Sequence, residues 1–249
     1  MKFNVNTKDF LKAIESSALK GKYYSSTGLK NWQLSPYAFI VVGEDISIYN
    51  GDDATALGIQ IPAEIETEGQ AILEINKLVK YLKKMGENVT VAIGDVARIT
   101  SAGKIVTLPV NITHPAAASI QLFRDSVGSL NLEGEDFTFG RTNTEYKTVL
   151  NVSADLLSDA LSACEPVNHG VYKFDYNGTL TISSNKDIEN YAEEVEVVAE
   201  KDEPATVEIT APIHKLFKKE IVKVCFNDNT PILIVGATAK IFRAPYVNV

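Results

Sequence analysis

The chain has 249 residues, room for one large domain or two of about 120, and its 45% hydrophobic content is enough for a real core. With 32 acidic against 24 basic residues and a net charge of -8, a uniformly basic nucleic-acid-binding surface is excluded, while a local basic lining is not. Cys164 and Cys225 have no partner at metal or redox spacing and read as buried, reduced thiols. No apolar run is long enough to span a membrane and no signal-like segment precedes Phe3, so the expected setting is soluble and cytoplasmic.

The first pattern, "VNTKDFLKAI" (5–14), reads as a short strand, a polar N-cap and a helix with Phe10, Leu11 and Ile14 on its apolar side. Strands follow over Tyr37–Val42, Asp45–Tyr49, Leu57–Ile61 and Gln70–Ile75. "INKLVKYLKKM" (75–85) is then an amphipathic helix. At about 100° per residue Ile75, Leu78, Val79, Leu82 and Met85 share one side, with Lys77, Lys80 and Lys84 opposite and Lys83 at the flank. This charge run reads either as a solvated face or as a surface for an anionic partner. Strands over Val89–Ile93, Ala97–Thr100 and Lys104–Pro109 complete this part.

Residues 111–145 are too long for a plain linker inside a compact molecule. Ile120, Leu122, Phe123, Phe137 and Phe139 predict that part of the stretch packs and includes a strand. The third helix lies in "SADLLSDALSACE" (153–165), with Leu156, Leu157, Ala160 and Leu161 apolar. Further strands are expected over Tyr172–Tyr176, Leu180–Ser183, Tyr191–Ala199 and Thr206–Thr210. A fourth helix ends in Lys218-Lys219, and strands over Ile221–Phe226, Ile232–Val235 and Ala239–Tyr246 follow.

The chain repeats itself. "EINKLVKYLKKMGENVTVAIGD" (74–95) answers to "EITAPIHKLFKKEIVKVCFND" (208–228), "GKIVTLPV" (103–110) to "AKIFRAPY" (239–246), "VNTKDFLKAI" to "VSADLLSDAL" (152–161), and "DISIYNGDD" (45–53) to "TLTISSNKD" (179–187). Four blocks in the same order imply two tandem α+β units, residues 1–112 and 146–249, joined by a connector over 113–145. Each unit would have two amphipathic helices on one face of its antiparallel strands. The units and connector carry charges of about 0, -5 and -3, so the acid surplus lies away from the lysine-rich helix.

This order of blocks resembles the DNA polymerase sliding clamps. The opening "MKFNVNTKDFLKAIE" and the stretch "GQAILEINKLVKYLKKMGENVTVAIGDVARITSAGKIVTLP" are similar to the bacterial beta clamp. The two-unit length and the ending "KIFRAPYV" are closer to proliferating cell nuclear antigen. The resemblance implies antiparallel sheets outside and helices inside, in a six-domain ring assembled as a homotrimer. Such a ring encircles double-stranded DNA without reading its sequence, tethers DNA polymerase and other replication and repair proteins, and is opened by a clamp loader ATPase. It needs no cofactor and no metal.

On that reading Lys8, Lys12, Lys77, Lys80, Lys84, Lys215, Lys218 and Lys219 line the hole. Lysine suits the task, because its flexible point charge attracts phosphate without fixing a bidentate geometry. The chain has 20 lysines and four arginines, and Arg98, Arg124, Arg141 and Arg243 all lie outside the predicted helices. The acidic third helix, with Asp155, Asp159 and Glu165, is a departure from a lysine-lined wall. Ring closure would pair Lys104–Val110 with Tyr191–Val198 of the next subunit, with Lys104, Val106, Leu108, Tyr191, Val195 and Val197 at the interface; pairing only within the unit is the alternative. The resemblance puts a partner-peptide groove between Ile120, Leu122 and Phe123 of the connector and Ala244, Pro245, Tyr246 and Val247 of the tail, residues that also read as a small satellite core.

Other classes stay open. An enzyme is disfavoured: Asp52-Asp53 reads as turn chemistry, His114, His169 and His214 are scattered, and no nucleotide-binding or nucleophile motif occurs. A clamp-fold member of a heteromeric ring, a monomeric DNA-binding processivity factor and an interaction scaffold without DNA contact are the remaining alternatives. A replication role implies association with the nucleoid, or with host cytoplasm for a viral chain.

Overall fold

A computed structural model of the chain describes residues 1–25, 28–128, 138–139, 144–168, 170–210 and 212–246. Contacts divide it into two compact units, Met1–Leu19 with Gln33–Ile120, and Lys20–Trp32 with Gln121–Val249.

The first unit opens with β1 (Lys2–Asn6) and α1 (Thr7–Ser17). Asn6 makes the switch: its Oδ1 accepts the N–H groups of Lys8 at 2.9 Å and Asp9 at 3.3 Å, satisfying two donors the helix cannot. Phe10, Ala13, Ile14 and Ser17 fall at helical spacing and are buried, and the Phe10 ring meets Phe3 of β1 edge-on at 5.8 Å.

The chain next forms β2 (Gly21–Ser25) and β3 (Gly28–Trp32), an antiparallel hairpin whose contacts assign it to the second unit. Back in the first unit it forms β4 (Tyr37–Val42), β5 (Ile46–Gly51), β6 (Thr55–Ile61), β7 (Glu64–Thr67), β8 (Gly69–Glu74) and α2 (Ile75–Leu82). Strands β9 (Asn88–Ile93), β10 (Val96–Ser101) and β11 (Lys104–Pro109) follow. All pairs are antiparallel, in the orders β11-β10-β9-β1-β7 and β6-β5-β4-β8. Alternation sets the faces: Ala38, Ile40 and Val42 of β4 are buried while Phe39 and Val41 between them are half-buried.

The connector contains α3 (Ala117–Gly128) and the short pair β12 (Thr138–Phe139) and β13 (Thr144–Glu145). The expected strand is present; the helix was not expected. His114 starts it. The imidazole Nδ1 accepts the Ala116 N–H at 3.0 Å, so the ring proton sits on Nε2 and is donated to the Tyr37 carbonyl at 3.0 Å. Its backbone carbonyl accepts the Ala117 N–H. Burial lowers the His114 pKa, only partly offset by the bond to Tyr37.

The second unit comprises β14 (Thr148–Ser153), α4 (Ala154–Cys164), β15 (Tyr172–Tyr176), β16 (Leu180–Lys186), β17 (Glu189–Val195), β18 (Val197–Asp202) and β19 (Ala205–Ile209). A single 3-10 turn (Ile213–Leu216) leads to β20 (Ile221–Phe226), β21 (Ile232–Val235) and β22 (Ala239–Arg243). Its sheets run β18-β14-β20-β21-β22 and β17-β16-β15-β19. These are the orders of the first unit with β14 for β1, β15 to β19 for β4 to β8, and β20 to β22 for β9 to β11. The four sequence blocks are the trace of this repeated topology. Both cysteines are buried, and burial pushes the Cys164 thiol up to about 11 and Cys225 to about 12, so both are protonated at neutral pH.

Two expected elements differ. The fourth helix is reduced to the 3-10 turn, because Phe217 leaves it in extended geometry (φ -111°, ψ 141°) to bury its ring. That ring lies so close to Gly236 that a Cβ there would stand 2.8 Å from Phe217 Cδ1. Lys219 then turns at φ 55°, its N–H held by Asp155 Oδ1 at 3.1 Å. The single strand expected over Tyr191–Ala199 is broken at Glu196 into β17 and β18, which join different sheets.

Candidate nucleic-acid interface

In the first unit α1 and α2 pack on one another. Ile75, Leu78 and Leu82 of α2 are buried, Val79 and Met85 half-buried, and Lys77, Lys80, Lys83 and Lys84 exposed, as the periodicity predicts. Lys8 and Lys12 are exposed on α1, opposite Phe10, Ala13 and Ile14.

The lysines are not equivalent. Lys77 Nζ lies 2.6 Å from Glu74 Oε2, and that hydrogen bond, with the carboxylate charge behind it, raises the Lys77 pKa. Lys83 Nζ lies 2.7 Å from Glu15 Oε1. Lys8, Lys12, Lys80 and Lys84 have no carboxylate oxygen within 4.0 Å among the described residues. Lys80 Nζ stands 5.9 Å from the centre of the neighbouring Tyr81 ring. Four cations thus project from this helix pair and the turn that follows α2, with no carboxylate beside them among the described residues.

In the second unit Lys215, Lys218 and Lys219 are exposed on and after the 3-10 turn. Lys215 Nζ is 3.6 Å from Glu165 Oε1 and donates to the Lys20 carbonyl at 3.4 Å. The acidic helix α4 is therefore partly answered by lysines of its own unit, while Asp155, Leu156 and Asp159 remain exposed. Lys20, Lys22 and Lys30, at and beside the β2–β3 hairpin, are also exposed in this unit. Their one signal in the sequence is that no acid occurs between Glu15 and Glu44.

Strand β11 ends one sheet of the first unit and β17 ends one sheet of the second. On β11, Lys104 is exposed, Val106 half-buried and Leu108 5% exposed; Ile105 between them is 63% exposed. The Lys104 ammonium donates to the Lys84 carbonyl just beyond α2, where the helix dipole favours a cation. On β17, Tyr191 is half-buried and its hydroxyl donates to Glu193 Oε2 at 2.6 Å, while Val195 is 4% exposed. Val197 is half-buried and belongs to β18.

Of the groove residues, Ile120 and Phe123 are interior at 1% and 2% exposure, and Leu122 is 40% exposed. Ile120 packs beneath Gly51, where a Cβ would stand 3.6 Å from its Cγ1. Ala244 and Pro245 are half-buried and Tyr246 is exposed, with its N–H bonded to the Glu208 carbonyl at 2.6 Å. Val247 lies outside the described residues, as do Phe137, Arg141 and His169. Arg124 falls on α3. Asp52 Oδ1 accepts the N–H groups of Ala54 and Thr55, the turn role read from the sequence.

No family model matches the chain, and no curated protein matches it. Solved structures do. The H. pylori beta clamp in complex with 5-chloroisatin is 15% identical at a TM-score of 0.72, over 100% of this chain and 64% of its own. A. fulgidus PCNA bound to the C-terminal region of FEN-1 is 11% identical at a TM-score of 0.69, over 100% of this chain and 99% of its own. The DNA polymerase sliding clamp of Pseudomonas aeruginosa is 15% identical at a TM-score of 0.71, over 100% and 67%. The chain thus spans 64% of the H. pylori protein and nearly all of the A. fulgidus one. At these identities the likeness establishes the fold, two tandem domains of the sliding-clamp type.

Proposed function

We propose that this clamp-fold chain is a sliding clamp, a homotrimeric ring that encircles duplex DNA and tethers DNA polymerase and other replication and repair proteins. The observation that carries the reading is the set of lysines without a carboxylate partner among the described residues, Lys8 and Lys12 on α1, Lys80 on α2 and Lys84 just after it, in a protein whose net charge is -8. Such a surface attracts phosphate and has no fork to lock onto it. Lys77, Lys215, Lys218 and Lys219 add to the lining, with Lys77 and Lys215 partly neutralised by Glu74 and Glu165.

Trimer closure is supported by the two sheet edges. Strand β11 of one subunit pairs with β17 of the next in this proposal, which removes edges that would otherwise invite aggregation. Lys104, Val106 and Leu108 would meet Tyr191 and Val195, with Val197 just beyond the pairing. The acidic side chains of β17, Glu189, Glu193 and Glu194, would bring negative charge to an edge whose partner strand β11 carries Lys104. A two-unit chain needs three copies for six domains, in line with its coverage of 99% of the A. fulgidus chain.

Partners would dock on an apolar surface of the second unit that includes Leu122, Ala244, Pro245 and Tyr246. The A. fulgidus neighbour, bound to the C-terminal region of FEN-1, supports a peptide as the ligand class. A separate ATPase would open the ring. The mechanism is tethering, which raises the effective concentration of polymerase at the primer end and calls for no catalytic group. Among the described residues no helix is long and apolar enough to cross a membrane.

The test is synthesis on a long primed template by the polymerase this protein serves. Wild type should lengthen products, and a Lys8→Glu, Lys12→Glu, Lys80→Glu, Lys84→Glu variant should not. Equal product lengths would favour a scaffold without DNA contact.

A further inference from the structure

The sequence holds the dipeptide Asn-Gly twice, at Asn50-Gly51 and at Asn177-Gly178. The side-chain amide of an asparagine is open to attack by the backbone nitrogen of the next residue, which closes a five-membered imide and expels ammonia. Glycine in that place leaves the nitrogen unscreened, because it has no Cβ. The amide carbon must swing onto that nitrogen and ammonia must leave into water, so freedom of the backbone and exposure decide whether the ring closes. The fold gives the two copies opposite surroundings.

Asn50 ends β5 with Gly51 and is fully buried. Its Nδ2 donates to the carbonyls of Ser17 and Ser35, each at 2.9 Å, and its Oδ1 accepts the Gly51 N–H at 2.7 Å. Gly51 is held in the ladder opposite Ala56 of β6, where a Cβ would stand 2.6 Å from the Thr55 carbonyl oxygen. Asn177 instead lies in the turn between β15 and β16, beyond the last strand pair, Tyr176 with Leu180. Asn177, Gly178 and Thr179 are all exposed. Gly178 sits at φ 80°, and a Cβ on it would meet nothing within 4 Å. The Asn177 N–H bonds to the Thr179 carbonyl at 3.3 Å, but among the described residues no hydrogen bond engages the Asn177 side chain or the Gly178 N–H.

We propose that Asn177 is a self-modification site, at which the folded chain converts asparagine to aspartate and isoaspartate without an enzyme, while the fold protects Asn50. The Gly178 nitrogen bonds to Asn177 Cγ, the Cγ–Nδ2 bond breaks, and the amide group leaves with the Gly178 proton as ammonia. Water then adds to one of the two carbonyls of the resulting succinimide. Opening on one side gives aspartate; opening on the other gives isoaspartate, whose main chain is longer by one methylene. Either product puts a new carboxylate on the turn. The turn leads into β16, where Leu180 and Thr181 pair with Val195 and Glu194 of β17, so the added methylene enters the main chain at the root of that pairing. The site stands independently of the duplex-binding reading.

The experiment holds the full chain in mildly alkaline buffer, in parallel with the same chain unfolded in guanidinium chloride. Samples taken over weeks are digested and read by peptide mass spectrometry, and protein isoaspartyl methyltransferase with a labelled methyl donor reports the isoaspartate fraction. In the folded chain Asn177 should convert within about threefold of its unfolded rate, because an exposed turn moves at little cost in free energy. Asn50 should convert at least about a hundredfold more slowly than when unfolded, because β5 must open first. Anion exchange should resolve a growing species with one more negative charge. An Asn177→Gln variant should lack it, since the longer side chain would have to close a six-membered ring. A folded chain in which Asn177 stays intact while the unfolded chain converts overturns the proposal. So does a folded chain in which Asn50 converts as fast as Asn177, or an acidic species that forms as quickly in Asn177→Gln.

Discussion

Lys83 Nζ stands 2.7 Å from Glu15 Oε1, an ion pair that joins the end of α2 to α1 and takes one cation out of the lysine cluster. Both groups are about half exposed, so the pair itself adds at most about 1 kcal/mol of stability. Its larger effect is on which lysines are free. Replacing Lys83 by Gln should leave duplex affinity within about twofold, a shift of about 0.4 kcal/mol. Replacing Glu15 by Gln releases Lys83 and removes a nearby negative charge, and should strengthen binding at low salt. Anisotropy titrations read both; a Lys83→Gln protein as weak as one lacking Lys80 would refute the division into paired and free lysines.

The edges β11 and β17 give a prediction about assembly. Ile105 and Thr107 are exposed on β11, so Ile105→Glu with Thr107→Glu should leave the single chain folded. New carboxylates on β11 would repel the acidic edge strand β17 of the neighbouring subunit, and like charges across strands are destabilising. The variant should sediment as a single chain with an unchanged circular dichroism spectrum. A variant that assembles as wild type does would place the contact elsewhere.

His114 links pH to stability. Its neutral ring accepts from Ala116 and donates to Tyr37, and burial holds its folded-state pKa below the ordinary value near 6.5. The unfolded chain therefore binds the proton first as pH falls. The contribution of this group is full above the unfolded pKa and is lost as pH drops below about 6.5, levelling off once the folded pKa is passed. Urea midpoints measured from pH 8 to pH 5 should fall for wild type and fall less for His114→Gln. Parallel curves would remove His114 from the account.

Phe217 tests the explanation for the missing fourth helix. If its buried ring holds the chain out of helical geometry, Phe217→Ala should cost about 3 to 5 kcal/mol of stability in urea unfolding, the range for a buried aromatic cut to alanine. A loss below about 1 kcal/mol would mean that the turn has another cause.

Much of this fold was legible because each unit repeats the same alternation and helix spacing. The matching blocks 74–95 and 208–228 occupy the same place in the two topologies, and Ile75, Leu78 and Leu82 are buried as their spacing predicts. Other parts were written in contacts rather than in local pattern. "IHKLFKKE" has helical periodicity, yet Phe217 gains more by burial against Gly236 than by staying in register. Helix α3 starts at a histidine, outside the usual capping residues, and buries Ile120 and Phe123 on a short face. The break at Glu196 is invisible to a period-of-two pattern, because the alternation runs on while the sheet changes. Of the lysine cluster, the positions were readable and the pairing was not: Glu74 follows a strand and Glu15 sits on another helix, so only coordinates distinguish Lys77 and Lys83 from Lys80 and Lys84.

The central claim is a closed ring of three chains, and the mass of the assembly in solution tests it most directly. Light scattering on material eluting from a sizing column at micromolar concentration should give three times the 27.2 kDa of the chain. A particle of 27.2 kDa, unchanged on raising the concentration, would contradict the ring and return the protein to an open-faced or heteromeric role.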